Sequence, residues 1–118
     1  MVQKTDGMNY APQGKPNSVC AKGDFRFAAV GLDHGHIYGM CNGLIEAGAE
    51  LVSVYDPDPA NVARFCATFP DAKPAGSELE ILEDPSIQMV ASAAIPADRC
   101  PLGLRVIDHG KDYFAAAR

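Results

Sequence analysis

The 118-residue chain has 47% apolar and 21% charged residues, which is the composition of an ordinary soluble globular protein of about one domain. Its net charge of -5 argues against a general affinity for nucleic acid or for anionic membranes. The four cysteines form no C-x-x-C pair, so they indicate neither a zinc ribbon nor a redox motif, and we expect free thiols in a reducing cytoplasm.

The amino-terminal segment, residues 1–24, is rich in Gly, Pro, Asn, Lys and Ser and shows no apolar period. Such a segment buries too little apolar area to offset its ordering entropy, which predicts a flexible leader before a domain at 25–118. It also lacks the continuous apolar run of a signal peptide or a membrane span.

The first half of the domain alternates strand and helix signals. FRFAAV at 25–30 predicts a buried strand that ends in a turn at Gly31, and apolar residues at helical spacing follow as far as Gly48. ELVSVYD at 50–56 predicts a second strand, and PANVARFCATF at 59–69 a second helix that begins with proline.

The second half continues the alternation. A short extended piece at 72–75 precedes a small helix at 77–82, where Ser77 and Glu80 have capping-box spacing. QMVASAAI at 88–95 predicts a buried strand, Leu102, Val106 and Ile107 mark a helix ending at 109–110, and DYFA at 112–115 is the last strand. The pattern predicts an α/β fold of the Rossmann type, a doubly wound parallel sheet with helices on both faces and right-handed crossovers.

The turn GLDHGHIYG at 31–39 allows two interpretations. Asp33, His34 and His36 are suitable ligands for zinc or iron, whereas glycines in a strand-turn-helix unit suit a phosphate. The dinucleotide pattern is G-x-G-x-x-G with an acidic residue about 20 positions later. Gly31 matches the first glycine, Asp33 and His36 occupy the other two, and Asp56 ends the second strand. A D-H-x-H cluster also resembles the start of amidohydrolase barrels, but that fold is far longer, so we assign no metal.

Four stretches together carry a more specific resemblance: FRFAAVGLDHGHIYGM, VYDPDP, LEDPSIQMVASAAIP and HGKDYF. Over roughly residues 25–115 they resemble the amino-terminal half of the Gfo/Idh/MocA family of NAD(P)-dependent oxidoreductases. The resemblance implies a Rossmann domain followed by a second domain that forms the substrate pocket. It also implies hydride transfer between a nicotinamide and a sugar, cyclitol or related polyol.

The resemblance implies a set of cofactor-binding residues. The pyrophosphate would lie beside the first turn, the adenosine ribose on an acidic residue, and the rest of the cofactor beside the end of the fourth strand. These residues are Gly31, Leu32, Asp33, His34, Gly35, His36, Ile37, Asp56, Ala94, Ile95 and Pro96. NAD is expected rather than NADP, because Asp56 would repel a 2′-phosphate and the following PDPAN supplies no basic partner.

Several of these residues have structural alternatives. Asp56 could be a turn residue before Pro57, and Ala94 and Ile95 could belong to the core. Asp33 could cap the first helix by accepting from the N–H of Gly35 or His36.

The chain also departs from the family pattern at its end. The family lysine of the E-K-P motif has no counterpart, because residues 116–118 read AAR. We therefore expect a fold truncated before the second domain and no catalytic residue in this chain, and whether it is an enzyme by itself stays open. The alternative is a stand-alone NAD-binding or interaction module, and a methyltransferase is disfavoured because its glycine-rich turn is missing. An uncovered edge after the last strand predicts a homo-oligomer.

Overall fold

The structure is a computed structural model that describes residues 24–115. It has five strands and four helices. The strands are β1 (Arg26–Val30), β2 (Glu50–Tyr55), β3 (Lys73–Pro74), β4 (Met89–Ser92) and β5 (Asp112–Ala115). The helices are α1 (His36–Glu46), α2 (Pro59–Thr68), α3 (Glu78–Leu82) and α4 (Pro96–Asp108). The predicted leader at 1–24, except Asp24, and the positions 116–118 lie outside the described residues.

The five strands form one sheet in the order β3-β2-β1-β4-β5, and every neighbouring pair is parallel. The predicted Rossmann-type fold is confirmed. The strand order reverses at β1, because β2 and β3 continue on one side of it and β4 and β5 on the other. The carboxyl ends of β1 and β4 therefore form the switch point at which open α/β sheets bind ligands.

Side chains that alternate along β1 divide the core into two layers. Phe27 packs in one cluster with Ile37 and Cys41 of α1 and Phe65 of α2. Val30 packs in the other cluster, which contains residues of α3 and α4 such as Ile81, Leu82, Leu102 and Val106. This alternation is the period of a strand that is buried on both faces, and it explains why helices cover both sides of the sheet.

The predicted end of β4 is wrong. The strand ends at Ser92 rather than at Ile95, and Ile95 is the N-cap of α4. Pro96 occupies the first helical turn, where proline loses no hydrogen bond, so the chain turns into α4 earlier than the apolar pattern indicated. Of the three apolar residues from which this helix was predicted, Leu102 and Val106 are buried and Ile107 is 60% exposed.

The predicted capping box at α3 forms only in part. Ser77 Oγ accepts from the N–H of Glu80 at 3.2 Å, as expected. The Glu80 carboxylate accepts from the N–H of Gly76 at 2.8 Å, instead of returning to Ser77. Both side chains of the motif therefore still accept a backbone N–H at the helix start. The Glu80 carboxylate binds the N–H of the residue before the N-cap instead of that of the N-cap itself.

Candidate functional site

The turn after β1 is fixed between the two neighbouring strands by Gly31. Its N–H donates to the carbonyl of Tyr55 at 3.1 Å, and its own carbonyl accepts from Ala93 at 2.9 Å. Its φ is +83°, and a Cβ there would lie 2.9 Å from Ser92 Oγ and 3.0 Å from Ala94 Cβ. Because both the backbone conformation and the packing exclude a side chain, the turn requires glycine at this position.

Asp56 anchors the same turn from the end of β2. The side chain is 6% exposed, and its Oδ1 accepts from the N–H of Leu32 at 2.8 Å. Its Oδ2 accepts from the N–H of Asp58 at 2.9 Å and from Asn61 Nδ2 at 3.0 Å. The carboxylate therefore joins the first turn to the start of α2. A carboxylate offers about four acceptor positions, and these donors occupy three of them.

Asp33 does not cap the first helix, so that prediction is wrong. Its Oδ2 accepts from the N–H of Ile95 at 3.3 Å, which joins the first turn to the start of α4. The N-cap of α1 is Gly35, which provides no side-chain hydrogen bond, and the first turn of the helix carries no acidic residue. The N–H groups at this helix start are therefore not occupied by a capping side chain, and the helix dipole favours an anion there.

The two histidines of the turn are exposed on the same edge of the sheet. The rings of His34 and His36 are 4.3 Å apart and tilted by 48°. Among residues 24–115, no three His, Cys, Asp or Glu side chains are grouped closely enough to hold a metal ion. Asp33, the third member of the D-H-x-H set, is directed to Ile95, so these residues do not converge as a ligand set in the described fold.

The turn after β4 lies beside the first turn at the switch point, and we call the space between these two turns the crevice. Ala94 is buried, as the core alternative anticipated, but Ile95 is 49% exposed, so its assignment to the core is wrong. Ile95 lies outside the sheet because it is the N-cap residue directly before α4. Residues 31–37 and 94–96 thus face each other across the switch point, connected by the Asp33–Ile95 hydrogen bond.

Sequence reasoning missed two residues of this site. Ser92 is fully buried, and its hydroxyl accepts from the N–H of Ala94 at 3.2 Å while packing against Gly31. Asn61 binds Asp56 from the first turn of α2. Its spacing of five residues after Asp56 is the only signal in the sequence that could have indicated this contact.

Comparison with solved structures gives the family context. A protein from Erwinia carotovora atroseptica SCRI1043 that is assigned as an oxidoreductase is 49% identical over 78% of this chain, with a TM-score of 0.75. The myo-inositol dehydrogenase of Lactobacillus casei, solved with NAD(H) and myo-inositol, is 25% identical over 77% of this chain, with a TM-score of 0.65. The described residues form a Rossmann-type domain that is similar to the amino-terminal part of Gfo/Idh/MocA-type oxidoreductases.

The similarity covers only the amino-terminal part of these neighbours. The chain spans 28% of the length of the Erwinia protein and 27% of that of the inositol dehydrogenase. Biliverdin reductase of Synechocystis sp. PCC 6803, solved with biliverdin and NADP+, shares the fold at 24% identity and a TM-score of 0.65, over 79% of this chain and 29% of its own. No profile of a known protein family and no curated protein matches the chain. In the part of the chain that the structure describes, no helix is long and apolar enough to cross a membrane.

Proposed function

We propose that the chain is the NAD-binding domain of an oxidoreductase that acts on a sugar, cyclitol or related polyol by hydride transfer. The observation that carries the proposal is the anchored glycine turn in front of an uncapped helix. Gly31 and Asp56 hold the backbone of this turn at the switch point, and α1 starts directly behind it. The family context supports the reaction class, and the NAD(H) and myo-inositol bound to the Lactobacillus casei enzyme support the cofactor and the substrate class.

The residues of the crevice fit a dinucleotide. A Cβ added at Gly35 would meet no atom within 4 Å, so the start of α1 is open to a ligand. Residues 31–37 would hold the pyrophosphate, Asp56 would accept from a ribose hydroxyl, and residues 94–96 would flank the nicotinamide half. The bound nicotinamide would supply the hydride acceptor or donor. The role of this chain's own residues is to bind and orient it, and we assign none of them to catalysis.

The preference for NAD over NADP would come from the end of β2. Asp56 stands there with the exposed Asp58 two positions after it, and this negative charge would repel a 2′-phosphate. Arg64 lies one turn after Asn61 along α2, but its guanidinium donates to Asn61 and is part of the hydrogen-bond network around Asp56.

Titration of the 118-residue chain with NADH and NADPH, followed by calorimetry, tests the proposal. We expect NADH to bind more tightly than NADPH. Gly35→Glu should abolish binding, because it adds a carboxylate and bulk at the open helix start. Gly43→Glu is the matched control, since a Cβ at Gly43 also meets no atom within 4 Å but lies on α1 two turns further on. The proposal would be contradicted if NADPH bound more tightly than NADH, or if Gly35→Glu and Gly43→Glu bound NADH with equal affinity.

We also propose that the chain forms a homo-oligomer. Large apolar side chains are exposed on α4 and β5, the elements at one edge of the sheet: Leu104 and Ile107 of α4 are 61% and 60% exposed, and Phe114 of β5 is 40% exposed. Within the described residues β5 pairs only with β4, so its other edge is unpaired. An unpaired edge beside apolar surface favours association.

Sedimentation velocity tests the oligomer directly. We expect a dimer or larger species that Leu104→Glu combined with Ile107→Glu converts to a monomer. Ile45→Glu, a similar charge introduction at a partly exposed residue of α1 on the opposite layer, should leave the assembly intact. A wild-type chain that stays monomeric at high concentration would exclude the proposal.

A further inference from the structure

We infer that Asp33 is a negative determinant of dinucleotide affinity, fixed in place by the backbone of the β4–α4 turn. The inference rests on the proposed function, because it concerns the same crevice. Asp33 stands where the dinucleotide pattern has its second glycine, so its carboxylate adds a negative charge that the glycine would not.

The position of the carboxylate follows from the hydrogen bond between Asp33 Oδ2 and the N–H of Ile95 at 3.3 Å. The neighbouring backbone is immobilised independently, because Asp56 holds the N–H of Leu32 and Gly31 exchanges hydrogen bonds with Tyr55 and Ala93. The backbone before Asp33 and the side chain of Asp33 are thus each fixed by hydrogen bonds. The carboxylate lies between residues 31–37 and residues 94–96.

The same hydrogen bond also keeps the carboxylate of Asp33 away from the N–H groups at the start of α1, which favours anion binding there. By accepting from Ile95, Asp33 leaves the first turn of α1 without a side-chain cap and without an acidic group. The helix start therefore still favours an anion, but the anion has to bind beside a fixed negative charge. The attraction of the backbone and the repulsion by Asp33 act on the same pyrophosphate.

Charge-neutralising substitution separates these two effects. Asp33→Asn keeps an oxygen that can accept from Ile95 and removes the charge. For an exposed carboxylate a few ångströms from a doubly charged pyrophosphate, we expect NADH affinity to increase about threefold to tenfold at low salt. The gain should shrink as salt is raised, because screening weakens repulsion between exposed charges. A purely structural effect of the substitution would not depend on salt in this way.

The experiment compares wild type, Asp33→Asn and Asp71→Asn by calorimetric titration with NADH at low and high salt. Asp71→Asn makes the same charge change at an exposed position before β3, at the opposite edge of the sheet, and should leave the affinity unchanged. A salt-sensitive increase confined to Asp33→Asn supports the inference. Measurable wild-type binding that Asp33→Asn leaves unchanged or weakens overturns the inference alone. Failure of all three proteins to bind NADH at either salt concentration, while each still unfolds cooperatively on heating, overturns the proposed function and the inference with it.

Discussion

The N–H of Leu32 donates to Asp56 Oδ1 at 2.8 Å, across 24 residues of sequence, and both groups are buried. This bond fixes the backbone of the first turn to the end of β2. The same carboxylate accepts from Asp58 and Asn61, so three donors depend on one side chain. Asp56 is therefore part of the framework of the site, whether or not it also contacts a ligand.

Asp56→Ala should destabilise the fold because it leaves the buried N–H of Leu32 without its acceptor. We expect the free energy of unfolding to fall by about 2 kcal/mol or more, the range for a buried donor that loses its partner. Urea denaturation followed by circular dichroism measures the change. Asp71→Ala, the same substitution at an exposed position before β3, should change it by less than about 0.5 kcal/mol. Equal stability of the two variants would show that the Leu32 bond contributes little.

Two glycines of the first turn should respond differently to alanine. Gly31→Ala introduces a methyl group 2.9 Å from Ser92 Oγ at a φ of +83°, so we expect a loss of about 1–2 kcal/mol or more. Gly35→Ala meets no atom within 4 Å and has a φ of -61°, so the fold should tolerate it. Thermal unfolding of the two variants checks this contrast, and a larger destabilisation by Gly35→Ala would contradict it.

The sheet could be predicted from the sequence because its strands are short apolar runs, two of which end directly before Gly31 and Asp56. Side-chain partners could not be predicted in the same way. Asp33 was expected to bond to the adjacent helix start, which is the common local arrangement, yet its partner is Ile95, 62 residues away. That contact exists only because β1 and β4 are neighbours and their turns meet at one edge. Contacts across a sheet edge depend on the packing of the whole domain, which local patterns do not encode.

Glycines within helices provide a further contrast. A Cβ at Gly103 of α4 would lie 2.7 Å from the ring of Tyr113, whose hydroxyl donates to the carbonyl of Arg99 at 2.8 Å. Gly103→Ala should destabilise the domain by about 1–3 kcal/mol, because the ring must move and strain this bond. Gly43→Ala, on the exposed face of α1, should stabilise it by about 0.5–1 kcal/mol through helix propensity. Chemical denaturation of both variants should therefore give changes of opposite sign.

Cys41 should make the fold sensitive to alkaline pH. Burial in the α1 layer raises the pKa of its thiol from 9.0 to about 12. The folded protein thus keeps a proton that the unfolded chain releases, so the stabilisation is complete below pH 9 and is lost as the pH rises towards 12. This component should lower the free energy of unfolding by at most about 1.4 kcal/mol per pH unit within that window.

Urea denaturation between about pH 8 and 12 compares wild type with Cys41→Ala to isolate this effect. Burial also raises the pKa of Tyr113 and lowers that of Lys111. Because both remain in the variant, the difference between the two proteins reports the thiol alone. Cys41→Ala should be less stable near about pH 8, since it leaves a small cavity, and this deficit should shrink as the pH rises above 9. A deficit that stays constant up to pH 12 would show that the thiol ionises as readily in the folded protein as in the unfolded chain.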